Sequence, residues 1–405
     1  MAPPSSAPLR IGVAGLGRAF TLMLPTFLAD ARVRLVAATD PQPAARARFE
    51  SEFGGSAHAD VAALCADPAV ELVYLATPHE FHAEHVALAA AAGKHVLVEK
   101  PMAITLAQCD AMVDAARRAG VQLIVGHSHS FNRPVQVARA LIESARYGAV
   151  RMLTALDFTD FLYRARRPEE LDTAAGGGVI HSQAAHQVDV LRLLGGGLLQ
   201  SVYAQTGAWD RERPTEGAYQ ALLRFQDGAF ASATYSGYAH FDSDVWMGGI
   251  NEGGSPSDPT GYGGARRRLA AVAGDAQAEA RLKAARGYGS PAYQPPAGPP
   301  PPSYQHFGPV IVSCEGADLR PLPDGVEILD HAQRSTHRLP APAVPRAEVF
   351  DEVIAAVRGE RAPLHDGAWA RATTEACLAM LASARDGTVQ MLRQQVPTPS
   401  LAHVL

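Results

Sequence analysis

The run Gly12-Val13-Ala14-Gly15-Leu16-Gly17-Arg18-Ala19-Phe20 holds the first residues whose type and spacing suggest chemistry. Gly15 and Gly17 let a backbone turn tightly and approach a diphosphate. Such a group would rest on the first amides of the following helix, at Arg18, Ala19 and Phe20. Phe20 stands where the usual fingerprint has its third glycine, which predicts a helix held further from its strand. Asp40 closes the second apolar run, where an acid takes ribose hydroxyls and repels a 2′-phosphate; the expected cofactor is therefore NAD. The plainer reading is a bare turn at Gly15 and Gly17, with Asp40 capping a helix over 43–53. A strand before, a helix after and the acid in register favour the dinucleotide.

Histidines supply the second set. A helix over 179–194 puts Ser182, His186 and Asp189 on one face, at spacings of four and three. An imidazole titrates where a general base must, so His186 is the expected proton acceptor; a packed core histidine is the bland alternative. Asp189 either orients His186 or pairs with Arg192. His127 and His129 follow the last strand of the first half. If that strand continues, both share a face and contact substrate. With His181 these residues invite a metal reading. His181 and His186, however, diverge by about 140° around a helix, and no carboxylate or thiol joins them at ligand spacing. No metal is expected.

The elements that must position these groups follow from periodicity. Apolar runs at 9–15, 33–39, 71–76, 95–98 and 121–125 alternate with helical stretches at 19–29, 43–53, 80–93 and 105–119. Alternation of this kind predicts a parallel sheet with helices on both faces, and a ligand site at the carboxyl ends of its strands. Beyond residue 126 the pattern becomes α+β. Helices are expected at 134–145 and 179–194, and strands at 150–158, 201–208, 217–226 and 229–236. Asp227-Gly228 marks a hairpin. The expected fold is thus a Rossmann domain (1–126) followed by an α+β domain with an open, mostly antiparallel sheet (127–405). A glycine-, proline- and serine-rich excursion at 242–309 interrupts the second domain. It carries one helix at about 264–286 and a proline run at 295–302, and it is expected to fold over an edge or a site. Strands at 310–315 and 326–329 and helices at 346–358 and 367–385 complete the chain.

Bulk properties exclude several classes. The chain has 405 residues, 47% hydrophobic and 19% charged, with net charge −5. That balance recruits neither nucleic acid nor an anionic membrane. Four scattered cysteines read as reduced thiols. Residues 1–8 read as a loose tail without the features of a signal peptide, and no apolar run suits a membrane helix. The expectation is a cytoplasmic protein acting on a small molecule.

Three further segments resemble the Gfo/Idh/MocA oxidoreductase family. They are Ala76-Thr77-Pro78-His79-Glu80-Phe81-His82, then Glu99-Lys100-Pro101 directly after a strand, and Gly176-Gly177-Gly178 followed by His186 and Asp189. The resemblance implies cofactor contacts at Thr77, Pro78, His79, His82, Glu99 and Lys100. It also implies a homodimer or homotetramer, and a catalytic Lys100 bonded to the hydroxyl being oxidised. An ammonium there would stabilise developing oxygen charge. Most of the family carries an aspartate where this chain has Ser182, so a hydroxyl replaces a carboxylate. Within the family, residues 15–27, 126–134, 182–189 and 308–325 resemble the phthalate 4,5-cis-dihydrodiol dehydrogenases of aromatic degradation. That resemblance implies oxidation to 4,5-dihydroxyphthalate, with Arg133, Arg164, Arg166, Arg167 or the run Arg266–Arg268 gripping carboxylates. The alternatives are a sugar or cyclitol dehydrogenase, an NAD-dependent glycosidase, or a non-catalytic NAD-binding sensor.

Overall fold

The computed structural model describes residues 7–295 and 299–405. Most of the N-terminal tail and the centre of the proline run, residues 1–6 and 296–298, lie outside the described residues. The chain divides into two compact units. The first runs to His127 and adds Ala280–Pro300 and Ala343–Arg371.

Its sheet has six strands: β1 (Leu9–Ala14), β2 (Val33–Thr39), β3 (Ser56–His58), β4 (Leu72–Leu75), β5 (His95–Val98) and β6 (Leu123–Val125). All pair in parallel, in the order β3-β2-β1-β4-β5-β6. Helices α1 (Arg18–Ala29), α2 (Pro43–Phe53), α3 (Val61–Ala66), α4 (His82–Ala91) and α5 (Leu106–Ala119) join them. The strands are near-continuously apolar because both sheet faces are covered. Ala14, Leu64, Val73, Val96 and Met112 are fully buried in one core cluster. Strand order reverses between β1 and β4, which opens a crevice at their carboxyl ends. The sequence reading lacks β3 and α3: Ser-Ala-His has no apolar alternation, and α3 spans under two turns. At the far edge the Val125 amide donates to the His365 carbonyl at 2.9 Å, so returning chain covers part of β6.

The second unit comprises Ser128–Glu279, Pro301–Pro342 and Ala372–Leu405. It contains α6 (Arg133–Glu143), β7 (Val150–Phe158), α7 (Ala185–Leu194), β8 (Leu199–Gly207), β9 (Ala218–Phe225) and β10 (Phe230–Ser236). After the excursion come β11 (Val310–Cys314), β12 (Ala317–Leu322), β13 (Gly325–Asp330), β14 (Arg334–Arg338) and β15 (Gln390–Met391). They form one nine-stranded sheet, β14-β13-β12-β11-β7-β10-β9-β8-β15. Every pairing is antiparallel except β10 with β7. The Asp227-Gly228 hairpin joins β9 to β10, with Gly228 at φ 91° and the Ala229 amide bonded to Asp227.

Three local expectations change. The helix at 179–194 opens with a π-helical turn, Ile180–Ala184. The strand ending at Val125 does not continue through His129, which starts a 3₁₀ turn, His129–Phe131. The helix expected over 264–286 is two helices, Gly264–Ala270 and Ala276–Ala284, parted where Gly274 takes φ 82°. The excursion itself is shared: residues 280–300 belong to the first unit, the rest to the second.

Candidate active site

In the first unit, Gly15 has φ 91°, and a Cβ there would stand 2.7 Å from the Ala76 carbonyl oxygen. Only glycine allows β1 and β4 to approach this closely. Gly17 precedes α1 with no side-chain cap, and nothing lies within 4 Å of where its Cβ would be. Asp40 is 9% exposed. It accepts the Leu16 amide on one carboxylate oxygen and the Gln42 amide on the other, each at 2.8 Å. It therefore ties the glycine turn to the end of β2, and each oxygen keeps a lone pair for a ribose hydroxyl. An uncapped helix start, an open glycine and a fixed acid fit a dinucleotide.

The Phe20 ring is buried, 5.3 Å and edge-on to Tyr288, while its amide stays in the first turn of α1. His82 is 1% exposed. Its Nε2 lies 3.0 Å from the Thr77 carbonyl, and its Nδ1 lies 3.1 and 3.2 Å from those of Pro101 and Met102. Burial pushes its pKa down to about 4. His82 thus sits between the Thr77-Pro78-His79 loop and the loop after β5, where a neutral imidazole donates to a carbonyl of only one of them. On that second loop, Glu99 accepts the Tyr74 hydroxyl at 2.5 Å. Burial raises the Glu99 pKa, opposed by that hydrogen bond and by the charges of Arg346 and Lys100.

In the second unit, His129 and His186 are both buried, with ring centroids 4.8 Å apart and nearly perpendicular. Phe307 lies 5.2 Å from the first ring and 5.1 Å from the second. His129 Nδ1 meets the Asn132 amide at 3.0 Å, and its Nε2 stands 3.4 Å from Glu252. Asp189 accepts from the Ser130 hydroxyl and, at 2.7 Å, from that of Thr373. Arg192 in turn donates to Thr373 at 2.7 Å. The Ser182 hydroxyl donates to the Gly178 carbonyl at 2.5 Å.

Beside these rings is a polar cavity of about 230 Å³, lined among others by Asp157, Arg164, Asp244, Glu252, His306 and Phe307. Burial, reinforced by neighbouring carboxylates, raises Asp157 to about 8 and Asp244 to about 7. Ser243 donates to Asp157 at 2.7 Å and partly offsets this. Tyr235 pairs with Asp157 across β10 and β7 and is 1% exposed. Its hydroxyl has no hydrogen-bond partner among the described residues. Of the arginines, Arg164 lines the cavity, 3.4 Å from Asp160. Arg166 lies over the Phe161 ring at 3.6 Å, and burial lowers it to about 10. Arg167 pairs with Glu169. Arg266 donates to the Tyr238 carbonyl, and Arg133 donates to that of Val404 at 2.6 Å. Asp157, Tyr235, Glu252 and Phe307 escaped the sequence reading, because cross-strand register and the excursion's path leave no local signal. Among the described residues no group of three His, Cys, Asp or Glu could hold a metal, and no helix could cross a membrane.

Residues 9–127 match the profile of an oxidoreductase family with an NAD-binding Rossmann fold, and residues 135–249 match the GFO/IDH/MocA C-terminal domain. The chain is 47% identical over 387 residues to the 1-carboxy-3-chloro-3,4-dihydroxycyclohexa-1,5-diene dehydrogenase of Comamonas testosteroni, covering 95% of this chain and 96% of that one. A crystal structure described as a dehydrogenase from Bordetella bronchiseptica RB50 matches with TM-score 0.88 and 40% identity, over 95% of this chain and all of that one. A levoglucosan dehydrogenase solved with NADH and levoglucosan shares the fold, at TM-score 0.70 and 18% identity over 95% of this chain and 99% of that one. The chain belongs to the Gfo/Idh/MocA oxidoreductase family. It is an NAD-dependent dehydrogenase.

Proposed function

We propose that this enzyme oxidises a cis-dihydrodiol of an aromatic carboxylate to the corresponding catechol, phthalate 4,5-cis-dihydrodiol being the first substrate to test. The observation that carries this is the 47% identity, across almost the whole chain, to a dehydrogenase of a carboxylated dihydroxycyclohexadiene. When bound, NAD+ supplies a hydride acceptor. Gly15, Gly17, the α1 amides and Asp40 would hold it. Lys100 and His186 are assigned to the reacting hydroxyl: one accepts its proton as the carbon–hydrogen bond breaks, and Lys100 stabilises the oxygen charge. The hydroxyketone so formed tautomerises to a catechol, and the gain in aromaticity draws the oxidation forward. Arg164 is the guanidinium assigned to a substrate carboxylate. Incubation with NAD+ and the diol tests the reading: NADH absorbance must rise with catechol, and its absence removes the substrate assignment.

A second reading has its own support. Four carboxylates, Asp157, Asp242, Asp244 and Glu252, border the cavity, and carboxylates suit polyol hydroxyls. A cyclitol or sugar turned over faster than the diol would favour that reading. The glycosidase and sensor alternatives lose ground to the dehydrogenase likeness.

The oligomer is also a proposal. Met152, Tyr203, Leu222, Phe230 and Ile311 are exposed on strands of the second unit's sheet. We assign that apolar face to a second copy of the chain. Light scattering must show a dimer or tetramer that Leu222→Asp weakens.

A further inference from the structure

Residues 286–293, in the excursion, close against the glycine turn and α2. The Tyr288 amide donates to the Leu16 carbonyl at 3.1 Å, inside the Gly15–Gly17 turn. The Thr21 hydroxyl, in the first turn of α1, lies 3.4 Å from the Arg286 carbonyl. The Tyr288 ring is fully buried and stands edge-on to Phe20; its hydroxyl donates to Glu52 at 2.5 Å. Arg48 donates to the Tyr288 carbonyl at 3.0 Å, and its guanidinium lies 4.6 Å from the Tyr288 ring centroid and 5.3 Å from that of Tyr293. At Gly289 even one methyl would reach within 2.6 Å of the Ala45 Cβ, in the first turn of α2. The Tyr293 hydroxyl is buried without a hydrogen-bond partner among the described residues, and the charges of Arg48 and Arg18 act on it.

These contacts fall on the parts of the first unit that take the adenosine and diphosphate end of a dinucleotide: the turn after β1, the start of α1 and the start of α2. A glycine turn has many unbound conformations, and a ligand that needs one of them loses affinity in proportion to the others. A backbone hydrogen bond to Leu16, with an aromatic anchor beside it, removes most of that freedom before binding.

We propose that residues 286–293 form a strap that holds the glycine turn in its cofactor-accepting form, making Tyr288 a determinant of cofactor affinity that lies outside the Rossmann sequence. The proposal rests on NAD binding by this unit and not on the identity of the diol.

The test uses the full-length chain and calorimetric titration with NADH and with ADP-ribose, which carries only the adenosine and diphosphate part. Tyr288→Ala and Gly289→Val, the second acting through its clash with Ala45, should each weaken both ligands about tenfold. The KM for NAD+ should rise by a similar factor, with kcat moving less. Tyr288→Phe, which loses only the Glu52 bond, should change affinity less than threefold, roughly the effect of one partly exposed hydrogen bond. Folded Tyr288→Ala and Gly289→Val variants with unchanged affinity would overturn the strap, as would weakened NADH binding with normal ADP-ribose binding. If both variants fail to fold, the wild type decides by limited trypsin digestion after Lys283 and Arg286. ADP-ribose must slow cleavage there, and equal rates with and without it would overturn the proposal. Failure of NADH to bind the wild type would instead overturn the cofactor reading.

Discussion

Tyr235 and Asp157 are register partners on adjacent parallel strands, so their side chains leave the same face of the second unit's sheet, beside the polar cavity. Asp157 is pushed up to about 8 by burial, and it holds a proton in the fold at pH values where an unfolded aspartate, near 3.9, has lost it. The folded state then binds more protons than the unfolded one, so this group's contribution to stability falls as pH rises from about 4 to about 8. Asp157→Asn removes that dependence and keeps an oxygen for Ser243. Its melting temperature should gain on the wild type with rising pH, with a stability advantage on the order of 2 kcal/mol by about pH 9. A constant difference between about pH 5 and pH 9 would refute the assignment.

Buried His82 has the opposite sign. Its pKa is depressed to about 4, with carbonyls of the two loops around Lys100 close to its ring. The unfolded chain, with histidine near 6.5, binds the proton more readily, so wild-type stability falls as pH drops through that range. His82→Ala should cost about 2–3 kcal/mol near neutrality. The gap between variant and wild type should narrow toward about pH 4. Thermal melts across that range check both statements.

Gly15→Ala places a methyl against the Ala76 carbonyl at a backbone angle that L-residues rarely adopt. A loss of roughly 2 kcal/mol or more is expected, together with loss of NADH binding. Chemical denaturation and fluorescence titration measure the two effects.

Lys100→Met should lower kcat by about 10²–10⁴-fold while NADH still binds. Near-normal turnover would remove Lys100 from the mechanism.

Much of this was legible beforehand. Apolar runs marked five of the six parallel strands, because strands buried on both faces leave an unbroken hydrophobic signal, and Asp227-Gly228 marked its hairpin. Gly15 was readable as a turn because the close approach of the Ala76 backbone restricts residue type there. His186 and His129 were readable as chemical groups, but not Phe307, whose ring lies against both. Asp157 and Tyr235 meet through strand register, a relation between segments more than seventy residues apart that neither segment encodes alone. The burial of His82 against backbone carbonyls was not legible, because its sequence neighbours carry no signal of it. Tyr288 lay in a stretch whose composition signals only a loop.

One hydroxyl, that of Thr373, joins Arg192 to Asp189 by accepting from the first and donating to the second. Both charged groups lie on α7, the helix that carries His186, while their common tether is some 180 positions further on. During synthesis those two side chains cannot gain this link until almost the whole polypeptide has left the ribosome. A chain stopped short of Thr373 lacks that link between the two groups beside His186.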